Sequence, residues 1–163
     1  RGGWGPVGPR LWVAPGRPRA RQRPGSWLGC GDVESDDMHR GSCLCGAVSF
    51  EVAGALPGPD ACHCAQCRKH SGHYFASTDV PRAALAIRGE ERITWYQSSE
   101  KVRRGFCGTC GSSLFWDPIF KDWIGVAMGA FDGPTGARLG VHIFVSQKGD
   151  YYEIADGLPQ NQR

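Results

Sequence analysis

The stretch DACHCAQCRKHSGH, from Asp60 to His73, decides the reading of this chain. It holds Cys62, Cys64 and Cys67 within six residues. On an extended backbone, side chains at i and i+2 leave the same face. Cys62 and Cys64 therefore aim both sulfurs at one point, and His63 between them points the other way. Cys64 and Cys67 form a C-x-x-C pair, a spacing that recurs at zinc and redox sites. Structural zinc takes four protein ligands, whereas catalytic zinc keeps three and an open position. Three thiolates without an obvious fourth ligand describe an open zinc site. The competing reading closes it with Asp60, His63, His70 or His73, of which His63 is the least apt.

Working outward, two further cysteine pairs are flanked by glycine. Cys43 and Cys45 lie in GSCLCG (41–46), and Cys107 and Cys110 in CGTCG (107–111). In 107–111 the glycines permit a tight turn in which backbone N–H groups approach sulfur, while Cys43 and Cys45, like Cys62 and Cys64, are expected to project from one strand face. Four thiolates from two distant segments make a closed, structural tetrahedral site. Such a site would clamp the first strand to the middle of the sheet. A partition joining Cys43 and Cys45 to the central cysteines stays open on sequence alone. The open three-thiolate centre leans toward thiol chemistry. Its sulfurs over-neutralise the ion, so metal-bound water is weakly activated, and a soft site prefers a soft fourth ligand. A thiol that binds there loses its proton and becomes a held nucleophile.

The remaining sequence predicts an all-β domain. Ala47–Val52 alternates, with Val48, Phe50 and Val52 on one face. Strands are also expected over 73–78, 93–97, 112–116, 123–131 and 141–145, with a short helical turn over 66–70 stopped by Ser71-Gly72. Residues 38–163 suffice for one modest core, and metal would help a sheet of this size hold together.

Residues 1–37 have a different texture. They are rich in Gly, Pro and Arg, contain no Lys, and show no period. They are expected to be a disordered extension, a passenger ahead of a natural start at Met38; Cys30 within them is left out of the metal count. From Met38 onward there are 13 basic and 12 acidic residues. This near-neutrality argues against nucleic acid as a partner. Eight cysteines could build a secreted disulfide scaffold, but their pairwise clustering suits ligands better. No secretory h-region or membrane-length apolar stretch is visible, so the expected address is cytoplasmic, with no membrane partner.

Three motifs in order, GSCLCGAV, ACHCAQCRKHSG and FCGTCGSSLF, resemble the glutathione-dependent formaldehyde-activating enzyme family. The tail HIFVSQKGDYYEIADGLPQ is similar to the tails of its bacterial members. The resemblance covers about Met38 to Gln160. It implies a β-tent of antiparallel sheets around zinc, with two zinc ions per chain. One is structural, at Cys43, Cys45, Cys107 and Cys110; the other is catalytic, at Cys62, Cys64 and Cys67. The activity implied is that of a carbon–sulfur lyase joining glutathione and formaldehyde into S-hydroxymethylglutathione. One vertebrate branch is a centromere-associated protein, which keeps a non-catalytic, zinc-stabilised binding module as the alternative.

Further candidates come from the neighbouring residues. His70, His73 and Tyr74 are candidate proton donors. Arg68 and Lys69 are candidates for steering an anionic thiol such as glutathione and favouring thiolates. On the alternative reading, Arg103 and Arg104 would contact phosphate and Trp95 and Tyr96 would stack bases, although the run holding the two aromatics reads as buried strand. A thioredoxin-like redox role lacks its βαβ setting. The oligomeric state is not legible.

Overall fold

In the computed structural model the described residues are 38–163; the expectations for residues 1–37 and Cys30 lie outside them. Ten strands and one helix follow in order. They are β1 (Met38–Ser42), β2 (Ser49–Ala53), β3 (Asp60–Cys62), α1 (Ala65–Ser71), β4 (Phe75–Pro81), β5 (Leu85–Arg88), β6 (Ile93–Ser99), β7 (Val102–Cys107), β8 (Ser113–Pro118), β9 (Trp123–Ala127) and β10 (Val141–Ile143). The all-β expectation is met. Among the described residues no helix is long and apolar enough to cross a membrane.

The strands form two sheets. One has three strands in the order β1-β2-β5, and the other has seven in the order β10-β3-β4-β9-β8-β7-β6. The alternation after Cys45 explains how they meet. Val48, Phe50 and Val52 are all buried. Phe50 presents its ring edge-on to Phe115 of β8 at 5.7 Å and to Phe131 at 5.4 Å. Residues directly opposite one another in a ladder share a face. Thr78, Val126, Phe115, Gly105 and Trp95 are in register across five strands and make the core face. Gly105 is needed there, because a Cβ would stand 2.8 Å from the Trp95 ring.

The opposite face carries the other register row: Asp79, Gly125, Trp116, Arg104 and Tyr96. Helix α1 follows β3 directly. Cys64 caps it, its sulfur accepting from the Cys67 N–H at 3.3 Å, and Gly72 at φ 84° ends it where the sequence predicts a stop.

Three expectations need correction. The sheets are not wholly antiparallel, because β10 pairs with β3 in parallel; the long connection over 132–140 returns the chain in the same direction, which a tight turn could not. The strand expected over 123–131 stops at Ala127 and continues as a 3-10 turn over Met128–Ala130. Cys43 and Cys45, expected on one strand face, stand instead in the turn between β1 and β2.

Candidate metal centre

Two groups of cysteines converge as the spacing predicts. Cys43, Cys45, Cys107 and Cys110 bring their sulfurs within 4.8 Å of one another, and so, separately, do Cys62, Cys64 and Cys67. The partition that mixed Cys43 and Cys45 with the central cysteines is not the one observed. All seven are free thiols.

The four-sulfur group fits a metal ion on geometry. Cys45 Sγ lies 3.5 Å from Cys43 Sγ and 3.8 Å from Cys107 Sγ. A tetrahedron with metal–sulfur bonds of ~2.3 Å has edges of about 3.8 Å, whereas a disulfide measures ~2.05 Å. The local turns present the sulfurs. Cys43 N donates to Val48 O at 2.9 Å and Gly111 N to Cys107 O at 2.8 Å, while Val48 N reaches Cys43 Sγ at 3.3 Å.

The three-sulfur group stands on β3 and the start of α1. Its ionisation without an ion is uneven. Hydrogen bonding from Cys62, then from Cys67, holds the Cys64 thiol far below its usual range, and the bond to Cys64 pushes Cys62 up. One thiolate is stabilised at the expense of the next, as coupled sites require. A dication would let all three ionise together, so this donor set also fits a metal ion. Among the described residues no His, Asp, Glu or further Cys joins the group.

These three thiols line a cavity of about 550 Å³. It is formed on the second face of the large sheet and under α1. Phe75, Trp116, Trp123 and Phe144 make its apolar wall, with the two indoles stacked at 5.7 Å. Its charged side chains are Asp60, Asp79 and Arg104. Arg104 is buried; it donates to Cys67 Sγ at 3.7 Å and to Gln66 Oε1 at 3.3 Å. Burial, then the charge of Asp79, pushes the Asp60 carboxyl up to about 6, and burial raises Asp79 as well.

The other named candidates lie elsewhere. His63 does point away, and it is fully buried, bonded through Nδ1 to the Tyr152 hydroxyl and through Nε2 to His142 Nδ1 at 2.8 Å. His142 Nε2 in turn meets Asp156 Oδ2 at 2.8 Å. His63 and His142 are thus the buried middle of a hydrogen-bonded chain that runs from Tyr152 to the exposed Asp156. His73 bonds Tyr151 at 3.0 Å, Tyr74 packs between His63 and His73, and His70 lies edge-on to Phe106. None of His70, His73, Tyr74, Arg68 and Lys69 lines the cavity.

The arginine beside the thiols is Arg104. Only on the alternative, binding-module reading does the sequence give it a role, as a phosphate contact, because its strand and register are not visible there. Arg103 is bonded to the buried Asp117 at 2.7 Å and stacked 4.1 Å over Trp95. Tyr96, expected to be buried, is 60% exposed because it sits on the edge strand.

Fold and donor sets together define an all-β protein with two all-cysteine clusters that could each hold a metal ion. Residues 38–147 match the family model described as glutathione-dependent formaldehyde-activating enzyme, and the chain belongs to that family. It is 32% identical over 125 residues to a Halomonas elongata protein named "Putative glutathione-dependent formaldehyde-activating enzyme", covering 70% of this chain and 79% of that one. A Schizosaccharomyces pombe protein named as an uncharacterized lyase is 25% identical over 125 residues, covering 72% and 86%. A Rhodobacter sphaeroides protein of known crystal structure superposes with a TM-score of 0.51 at 29% identity, covering 58% of this chain and 89% of that one.

Proposed function

We propose that this chain is a zinc-dependent carbon–sulfur lyase that joins a thiol to a small aldehyde, or parts them, with glutathione and formaldehyde as the leading pair. Cys62, Cys64 and Cys67 hold the catalytic zinc, Cys43, Cys45, Cys107 and Cys110 the structural one, and residues 38–163 are the zinc-binding unit. A reducing, cytoplasmic setting belongs to the proposal and is supported by the free thiols.

The observation that carries the reading is the three-sulfur cluster in the wall of a substrate-sized cavity. Zinc bound there supplies a soft seat that keeps an incoming thiol as its thiolate. Arg104 places a buried positive charge against Cys67 and offsets the negative charge of the sulfurs. Phe75, Trp116 and Trp123 exclude water, so the carbonyl meets the sulfur nucleophile in an apolar setting.

The test is a thiol-by-aldehyde screen on the zinc-loaded protein, with hemithioacetal formation followed by NMR. The reading expects turnover in the wild type and none in Cys67→Ala, which should retain one zinc and its fold. Full activity in that variant would overturn the assignment.

A further inference from the structure

Phe144 combines three properties that ordinary packing does not explain. Its φ of 56° makes it the one non-glycine residue with positive φ among those described. That left-handed conformation is an outlier for a bulky side chain, and glycine or asparagine would adopt it at lower cost. Strain of this kind persists only where the surroundings over-determine it, and it gathers at functional sites. The residue is also 38% exposed, so core burial does not offset the strain. Finally, Phe144 lines the cavity that holds the three thiols.

Its neighbours fix it to the metal-binding segment from both sides. Ile143 is the register partner of Cys62, and its carbonyl accepts from His63 N at 2.9 Å. On the other side, Gln147 Oε1 accepts from Ala65 N at 3.0 Å, next to Cys64. The turn between is closed by Gln147 N donating to Phe144 O at 3.0 Å, and Val145 N donates to Asn161 O at 3.0 Å. The backbone of Phe144 is therefore tied to the peptide that carries Cys62 and Cys64.

We infer that Phe144 is a specificity-determining gatepost, a ring on a fixed backbone at the edge of the thiol-lined cavity that admits slim, unbranched partners to the sulfur seat and turns away bulky ones. This rests on the thiol-seat reading above. It deepens it by giving the substrate class as a thiol and an aldehyde that are narrow at the reacting atom. A pocket wall distinguishes such shapes by steric exclusion, and one group too many costs about tenfold or more.

The experiment replaces zinc with cobalt(II) and follows the sulfur-to-cobalt absorption on adding 2-mercaptoethanol or benzyl mercaptan. The quantity read is the ratio of the two affinities, which cancels the differing acidities of the thiols when variant and wild type are compared. Wild type should favour 2-mercaptoethanol, and Phe144→Ala should shift the ratio toward benzyl mercaptan by about tenfold or more. Phe144→Asn, which tolerates the left-handed backbone, should show the same shift and melt no lower than wild type.

An unchanged ratio with both thiols binding overturns the gatepost while leaving the thiol seat standing. Weaker benzyl mercaptan binding in Phe144→Ala also overturns it, since the ring would then be a contact and not a barrier. A marked melting loss in Phe144→Asn does the same by making Phe144 a packing residue. No spectral response to either thiol in any protein overturns the seat itself, and the gatepost with it.

Discussion

Arg104→Met tests whether a buried cation completes the three-thiol centre. The guanidinium donates to Cys67 Sγ at 3.7 Å, and the residue is 4% exposed. At an effective dielectric near 20, opposite unit charges about 4 Å apart attract by about 4 kcal/mol. Although the bond to Cys62 lowers it, the bond to Cys64 and burial leave the Cys67 thiol raised without an ion; with one it ionises against the guanidinium while the dication offsets part of the attraction, so about half that value is the working figure. Roughly 2 kcal/mol corresponds to about thirtyfold in metal affinity. Methionine keeps most of the volume, which limits the loss of packing. Metal affinity is measured by competition with a chromophoric chelator. The four-sulfur cluster, which has no contact with Arg104 among its hydrogen bonds, serves as the internal reference. The expected result is about thirtyfold weaker binding of one equivalent only, with Arg104→Lys recovering part of it. Equal weakening of both equivalents would mean general destabilisation, and no weakening would mean the charge is not coupled to the metal; either result refutes the reasoning.

Cys67→Ala should lower the bound metal from two equivalents to one by elemental analysis, with the circular dichroism of the sheet unchanged. Asp79 gives a pH-dependent effect. Its carboxyl is raised by burial, so its share of stability is present below the unfolded value of about 4 and is lost as pH rises through the folded one. Asp79→Asn should therefore melt higher than wild type at pH 8, with the gain shrinking toward pH 5; a gain that grows on acidification would reverse the sign. His142→Phe leaves His63 Nε2 without its bond inside a fully buried site. It should lower stability in urea by ~2 kcal/mol, the usual cost of an orphaned buried polar group.

What the sequence made legible follows from the range of each interaction. Cysteine spacing and the alternation of Val48, Phe50 and Val52 are local, and they gave both sulfur clusters and the core face correctly. Arg104, Trp116 and Asp79 share the cavity face only because four strands pair in one register. Nothing within a single strand encodes that row. The candidates His70, His73 and Tyr74 were chosen by nearness in sequence to the cysteines. Past the Gly72 stop, His73 packs with Tyr151 and Tyr152 and Tyr74 with His63, while His70 turns its ring to Phe106. The parallel β3–β10 pair was equally out of reach, since its two strands are joined through most of the domain.

The two clusters differ in where they sit as well as in ligand number, and the difference bears on their roles. Cys43 and Cys45 lie between β1 and β2 of the small sheet, while Cys107 ends β7 of the large one. Metal at that cluster cross-links the two sheets at a second place, beside the backbone bonds of β1 to Phe131 and Asp132. Closing a loop of that length removes a large share of unfolded-state entropy, so ion binding there acts as folding free energy. Cys62, Cys64 and Cys67 span only β3 and the adjoining α1. A metal at this place closes a short loop and adds little to the fold. Its ligands stand on an open cavity with Arg104 supplied from β7, two strands beyond β9 in the sheet order. A centre that contributes little to holding the chain together, yet has a buried counter-charge and a strained aromatic fixed beside it, is better explained by chemistry than by stability.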